Sequence, residues 1–231
     1  MQVHRTPTLL LTRPRPASER FARGLEGADI IIAPLMEIVG TGAEIDLAGV
    51  HGLILTSQAA VPFVPQTTLP AYCVGARTTA VARGAGISAD FVGEDADALV
   101  QALAARRPDG PLLHLHGTHT RGDIARRLSA HGITVQSLTL YDQRDCPPDP
   151  AFYDAITRPD LIVPLFSPRS AILFAAASQT LRDDTVLLAL SPAVAHALPP
   201  RMQTQTRVAA APTGQQMRDL LEPLGVQRNS P

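Results

Sequence analysis

Several short apolar runs in this chain stop at a small polar residue or a glycine: Thr56-Ser57, Gly75, Gly117, Ser167 and Ser191. Where such a residue joins a strand to a helix, the helix start offers unpaired backbone N–H groups and a partial positive charge. A carboxylate or phosphate suits that geometry. Any one Ser or Thr is as readily a plain helix cap; the recurrence at every run is what points to anion binding. Arg13 and Arg121 each follow the end of an apolar run, and each can pair with a ligand carboxylate or with a surface acid. His114, His116 and His119 cluster, and strand alternation puts His114 and His116 on one face. Zinc would need more ligands in tighter geometry. No metal is therefore expected, and His116 is assigned to ligand contact.

Composition removes other chemistries. The 231 residues include 20 Lys and Arg together, and every one of them is Arg. Without Lys there is no Schiff base, no pyridoxal-phosphate chemistry and no phosphate loop of the usual kind. A formal net charge of -1 argues against nucleic acid held on a basic face. Cys73 and Cys146 are far apart and in no metal-type spacing, which suits a reducing compartment. The run Leu9-Leu10-Leu11 is too short for a signal-peptide core or a membrane span. A cytoplasmic protein with no membrane and no nucleic-acid partner is expected.

The elements that must carry these residues are strands alternating with helices. Leu9–Leu11, Ile30–Ala33, Leu53–Leu55, Tyr72–Val74, Leu112–Leu115, Leu161–Leu165 and Val186–Leu190 are apolar and of strand length, as in an open parallel sheet. The same blocks occur twice. Leu11-Thr12-Arg13-Pro14 with Phe21, Leu25 and Ile30–Ala33 recurs as Leu115-His116-Gly117-Thr118 with Ile124, Leu128 and Gly132–Val135. Ile54–Val61 recurs as Leu165–Ile172, and Cys73–Ala80 more weakly as Ala189–Ala195. Gly93–Leu103 recurs as Pro212–Leu221. Two copies of one α/β unit follow, and a cut through the repeat alone falls near Arg106.

The blocks, in order, resemble the uroporphyrinogen-III synthase family over nearly the whole chain. The resemblance rests on Leu11–Pro14, Thr56-Ser57, Val74-Gly75 with Thr78, and Gly117 with Arg121 and Leu128. It rests further on Leu138-Thr139-Leu140-Tyr141 and Phe166-Ser167-Pro168. The chain departs from the family pattern at Gln58, at His116 and across 191–195. The resemblance implies two similar lobes, each a parallel sheet with helices on both faces, joined by a two-stranded β linker. Lobe one would be 1–37 plus 145–231 and lobe two 42–140, with linker strands near 36–41 and 140–144. Prolines 147, 148 and 150 bar helix as the chain returns to lobe one.

The same resemblance implies a hydro-lyase that needs no cofactor. Its substrate would be hydroxymethylbilane, four pyrroles in a chain with eight carboxylates. Loss of water leaves an electrophile that closes by itself to a symmetric ring, type I. The family inverts the last pyrrole to give type III. Positioning should contribute more to such a reaction than strong acids or bases. By resemblance Tyr141 is the catalytic residue, its phenol helping the substrate hydroxyl leave as water; a phenol donates a hydrogen bond near neutral pH without being charged. Arg13, Thr56, Ser57, Gly75, Thr78, His116, Gly117, Arg121, Ser167 and Ser191 are the expected substrate contacts. A monomer is expected. The rival expectation is a two-lobed binding or sensing module without turnover, because fold does not fix function. A phosphotransfer receiver is set aside, since none of these strands ends in Asp.

Overall fold

The computed structural model describes residues 6–119 and 122–229. Arg121 lies outside the described residues. The chain forms two compact units, Met1–Glu37 with Arg144–Pro231, and Ile38–Gln143.

In chain order, β1 (Thr8–Leu11) is buried at every position, as a strand covered on both faces must be. After it come α1 (Arg15–Ala22), the short β2 (Leu25–Glu26), and β3 (Asp29–Ile32), which pairs parallel with β1. β4 (Met36–Gly40) leads into the second unit. There the chain runs through β5 (Gly52–Leu55), β6 (Ala71–Val74), α2 (Ala76–Gly84), β7 (Ala89–Gly93), α3 (Ala96–Arg106), β8 (Leu112–Gly117) and α4 (Ile124–Ala130). The long β9 (Val135–Asp145) carries it back. The first unit is completed by α5 (Pro150–Thr157), β10 (Leu161–Leu165), α6 (Pro168–Ala177), β11 (Val186–Ala189), α7 (Pro192–His196), α8 (Pro200–Gln203), β12 (Thr206–Val208), α9 (Gly214–Asp219) and β13 (Gln227–Arg228).

The strand orders are β12-β11-β10-β1-β3 in one sheet and β4-β9-β8-β5-β6-β7 in the other, with β13 and β2 as a small antiparallel pair. The ladders of the five-stranded sheet are parallel, as are those from β9 to β7. The sequence repeat pairs β1-α1-β3 with β8-α4-β9, β10 with β5, and β11 with β6. Matched this way, β12 and β7 fall into line and five strands share one order, with β4 an extra edge strand beside β9. Within the shared five only the starting point differs: the first unit opens with the strand pair that closes the second. The second unit is therefore a circular permutation of the first. A cut near Arg106 would fall at the end of α3, inside the second unit. Counted along the first unit, the order follows the doubly wound 2-1-3-4-5 pattern, reversing direction between β1 and β10 and, by the match, between β8 and β5.

Each sheet is covered on both faces. Leu9 and Leu11 pack with Phe21, Met217 and Leu221, whereas Leu10 packs with Phe152 and Phe174. In the second unit Leu53, Leu55, Leu113 and Leu115 pack with Val61 and Ala82, and Ile54 and Leu112 with Leu99, Leu103 and Leu128. Burial of one such Leu or Phe contributes about 2 kcal/mol. Caps fix where the covering helices start. Asp149 accepts from the Phe152 N–H at 2.9 Å, and Pro150 takes the first helical position of α5, where the N–H it lacks would have no helical partner, so Pro150 starts a helix here instead of barring one. Asp149→Ala is expected to cost about 1 kcal/mol, read as a lower urea midpoint at unchanged slope.

Candidate active site at the carboxyl edge of the second sheet

In open α/β sheets a ligand site forms outside the carboxyl ends of the strands where the order reverses. In the second unit that point lies between β5 and β8, which are hydrogen-bonded neighbours. A cavity of about 280 Å³ opens there, lined among the described residues by Thr56, Ser57, Val74, Ala96, His116, Gly117, His119, Ile124, Tyr141 and Gln143.

The histidines come from β8. His114 lies opposite Ile54 in the β5–β8 register, and Thr56 is two residues further along the same face. His114 Nε2 is 3.3 Å from Thr56 Oγ1. The His114 and His116 rings are 4.7 Å apart at 42°. Burial, with a smaller contribution from His116, pushes the His114 imidazole down to about 4, so it is neutral at physiological pH. His116 holds its Nδ1 2.8 Å from the Gly117 carbonyl. A carbonyl only accepts, so in this contact Nδ1 donates and Nε2 is left for a ligand. Among the described residues no three His, Cys, Asp or Glu side chains are grouped as metal ligands would be.

Tyr141 reaches the same cavity from the opposite face of the sheet, where its ring belongs to the layer of Leu113 and Leu115. A register shift makes this possible: His116 lies opposite Thr139, and the next residue, Gly117, opposite Tyr141. The extra residue re-aims the end of β9, as bulges beside functional sites do. The phenol is clamped on all sides. Its ring stacks on Phe63 at 12° with centroids 6.2 Å apart. Its backbone carbonyl accepts from Thr118 N–H at 2.9 Å. Its hydroxyl makes no hydrogen bond to a described residue, and Tyr141 lines the cavity. The ring also lies flat against Gly117, where a Cβ would come within 2.5 Å of Tyr141 Cε2. Gly117→Ala is expected to displace the ring and, as overpacking of this kind does, cost about 1–3 kcal/mol of stability, read as a lower urea midpoint, while the far-UV spectrum stays that of the parent.

The expected site residues separate into three sets. Thr56, Ser57, His116, Gly117 and Tyr141 meet in the one cavity. Gly75 and Thr78 sit one strand over, beside the lining residue Val74, and do not line it. Gly75 adopts φ 79 at the start of α2, a conformation that glycine alone takes without strain. Arg13, Ser167 and Ser191 belong to the other unit. There the Arg13 guanidinium stacks 4.2 Å from the Phe166 ring, and Ser167 makes a capping box with Ser170. Ser191 starts the five-residue α7 without a side-chain cap bond.

Two of the expected helix starts are absent. Thr56-Ser57 is followed by a turn and one 3-10 turn, Val61–Phe63, because Pro62 and Pro65 stop a longer helix. Gly117 is separated from α4 by the residues up to Asp123. Anion binding at these two strand ends would fall to side chains and turn N–H groups. Gln143 and the supporting Phe63 went unnoticed in the sequence. Gln143 is two residues from Tyr141 on one extended strand, so period-two alternation would have found it. Phe63 carries no such signal.

Fold and cavity together define a doubly wound α/β protein of two permuted units with a polar ligand site at a sheet's switch point. The chain belongs to the uroporphyrinogen-III synthase HemD family, whose model matches residues 20–219. Among solved structures it is similar to the uroporphyrinogen-III synthetase of Helicobacter pylori 26695, at 14% identity over 94% of this chain and 99% of that one, with a TM-score of 0.67. A mutant uroporphyrinogen III synthase of the extremely thermophilic bacterium Thermus thermophilus aligns at 15% identity over 94% and 98%, with a TM-score of 0.45. No curated protein matches in sequence. At these identities the structural likeness speaks to the fold. Among the described residues no helix is long and apolar enough to cross a membrane.

Proposed function

We propose that this chain is a uroporphyrinogen-III synthase, which closes hydroxymethylbilane with inversion of the last pyrrole and loss of water. The observation that carries this reading is Tyr141, which lines the cavity with its ring packed on Phe63 and its hydroxyl without a partner among the described residues, and so available to a substrate hydroxyl. In the proposed step the hydroxymethyl C–O bond breaks while Tyr141 donates to the departing oxygen, which leaves as water. The substituted carbon of the last pyrrole bonds to the methylene so exposed, giving a spiro centre; its old bridge bond then breaks and re-forms at that pyrrole's free carbon, which gives up its proton, so the net change is loss of one water. A cavity of about 280 Å³ is below the range for a drug-sized ligand and suits one pyrrole with its two carboxylate arms. Thr56 and Ser57 would hold those arms and His116 Nε2 would accept from a pyrrole N–H, with Gly75, Thr78 and Gly117 shaping the same edge; Arg121 is a further proposed contact. Arg13, Ser167 and Ser191 are proposed carboxylate contacts on the first unit's own sheet edge. The enzyme would act as a cofactor-free monomer in the cytoplasm.

The test is incubation with freshly made hydroxymethylbilane, followed by separation of the two ring isomers. Type III is the expected product. Type I alone, with bilane bound to the protein, would assign the chain to binding rather than catalysis.

A further inference from the structure

We infer that His114 is a positioning residue, whose tautomer decides whether Thr56 presents the pocket with a hydrogen-bond donor or an acceptor. The inference rests on reading the pocket as a carboxylate site. His114 is 2% exposed, so its ring is too deep to meet a ligand. Its route to the pocket is through Thr56, whose Oγ1 lies 3.3 Å from His114 Nε2 and which lines the cavity. The pair is fixed by pairing register, since both residues project from neighbouring strands on the face that carries Ile54.

A neutral imidazole has one N–H and one bare nitrogen, and either nitrogen can take either role. With the proton on Nε2, the ring donates to Thr56 Oγ1. The threonine O–H is then released to point into the pocket. With Nε2 bare, the threonine O–H turns back to the ring, and the pocket meets oxygen lone pairs. An ionised carboxylate only accepts, so it selects the first state. A neutral hydroxyl or pyrrole N–H can use the second. Because burial keeps the ring uncharged down to about pH 4, both states are open at working pH. No buried charge is needed to hold the ligand. His116, tilted at 42° with its ring 4.7 Å away, is the imidazole neighbour of His114 among the described ring contacts.

The test is a double-mutant cycle in the full chain with His114→Leu and Thr56→Val. It is read as the affinity for uroporphyrin III, the aromatised form of the proposed product, from porphyrin fluorescence. A hydrogen bond to a charged group is worth about tenfold or more. Each single variant is expected to weaken binding by about tenfold, and the double variant no further than Thr56→Val alone. Additive losses, or unchanged binding in His114→Leu, would overturn the inference. His114→Gln keeps a donor of similar reach and is expected to stay within about threefold of the parent; a tenfold loss there counts equally against it. With hydroxymethylbilane, His114→Leu should raise KM and spare kcat, a split that loose packing would not produce. A parent protein that binds uroporphyrin III but forms only the type I ring defeats the synthase reading and leaves the cycle decisive. A parent protein that does not bind uroporphyrin III defeats both.

Discussion

Tyr141→Phe is expected to lower the rate of type III ring formation by about a hundredfold or more, the usual range for removing one proton-donating group, at unchanged thermal stability. The geometry makes this separation of effects clean. The ring supplies all of the packing on Phe63 and Gly117, and Phe keeps that ring. The hydroxyl has no partner among the described residues, so its removal leaves no orphaned group in the protein. What is lost is the donor to the substrate. Isomer separation and a melting curve on the same preparation check both halves. Parent-like type III formation in the variant would remove Tyr141 from the mechanism.

Acid should destabilise the protein through His114. Above pH 6.5 the imidazole is neutral in both the folded and the unfolded chain, and it contributes no pH dependence. Below that, the unfolded chain takes up a proton near the ordinary value of 6.5, whereas the folded site resists protonation down to about 4. Stability is therefore full above pH 6.5 and falls as the pH drops from 6.5 to about 4, then levels off. At about 1.4 kcal/mol per pH unit the loss approaches roughly 3 kcal/mol. This is a large share of the 5–15 kcal/mol typical of a domain. Urea titrations at pH 7 and pH 4.5 measure it. In His114→Leu this component is absent, so the gap between variant and parent should move in the variant's favour as the pH is lowered. Parallel pH profiles would show that the ring titrates normally.

The strands that sequence reading finds are those buried on both faces. β5, β10 and β1 beyond Thr8 have no solvent face to alternate with, so each is an unbroken apolar run, and in β8 only His114 and His116 interrupt one. The edge strands escape notice for the opposite reason. β7 exposes Asp90 and Phe91, and β12 exposes Arg207 and Val208, leaving too few apolar residues to signal a strand. β9 reads as two pieces, one near Val135 and one from Leu140, because Gln136 and Ser137 are exposed along the stretch between them. Site residues at strand ends were legible as a set, since a residue two places beyond a buried position must reach the sheet edge. The bulge at Gly117 was not legible. It depends on how β8 and β9 pair, and that information is held by neither strand alone. Arg13 shows the same limit. Its position after β1 was readable, but its stacking on Phe166 required knowing that β10 lies next to β1.

The second unit leaves its sheet beside the place where it came in. β4 and β9 are neighbours, and Thr41 bonds to both Thr139 and Leu140 through their carbonyls. Residues 38–143 thus make a module whose two chain ends lie side by side in its own sheet. It holds its own two oily layers and every described wall of the cavity from Thr56 to Gln143. About a hundred residues is a common size for a self-sufficient domain. Such a module can be gained, lost or transplanted in one step with the described walls of its cavity intact, because both of its severed ends would heal at the same spot.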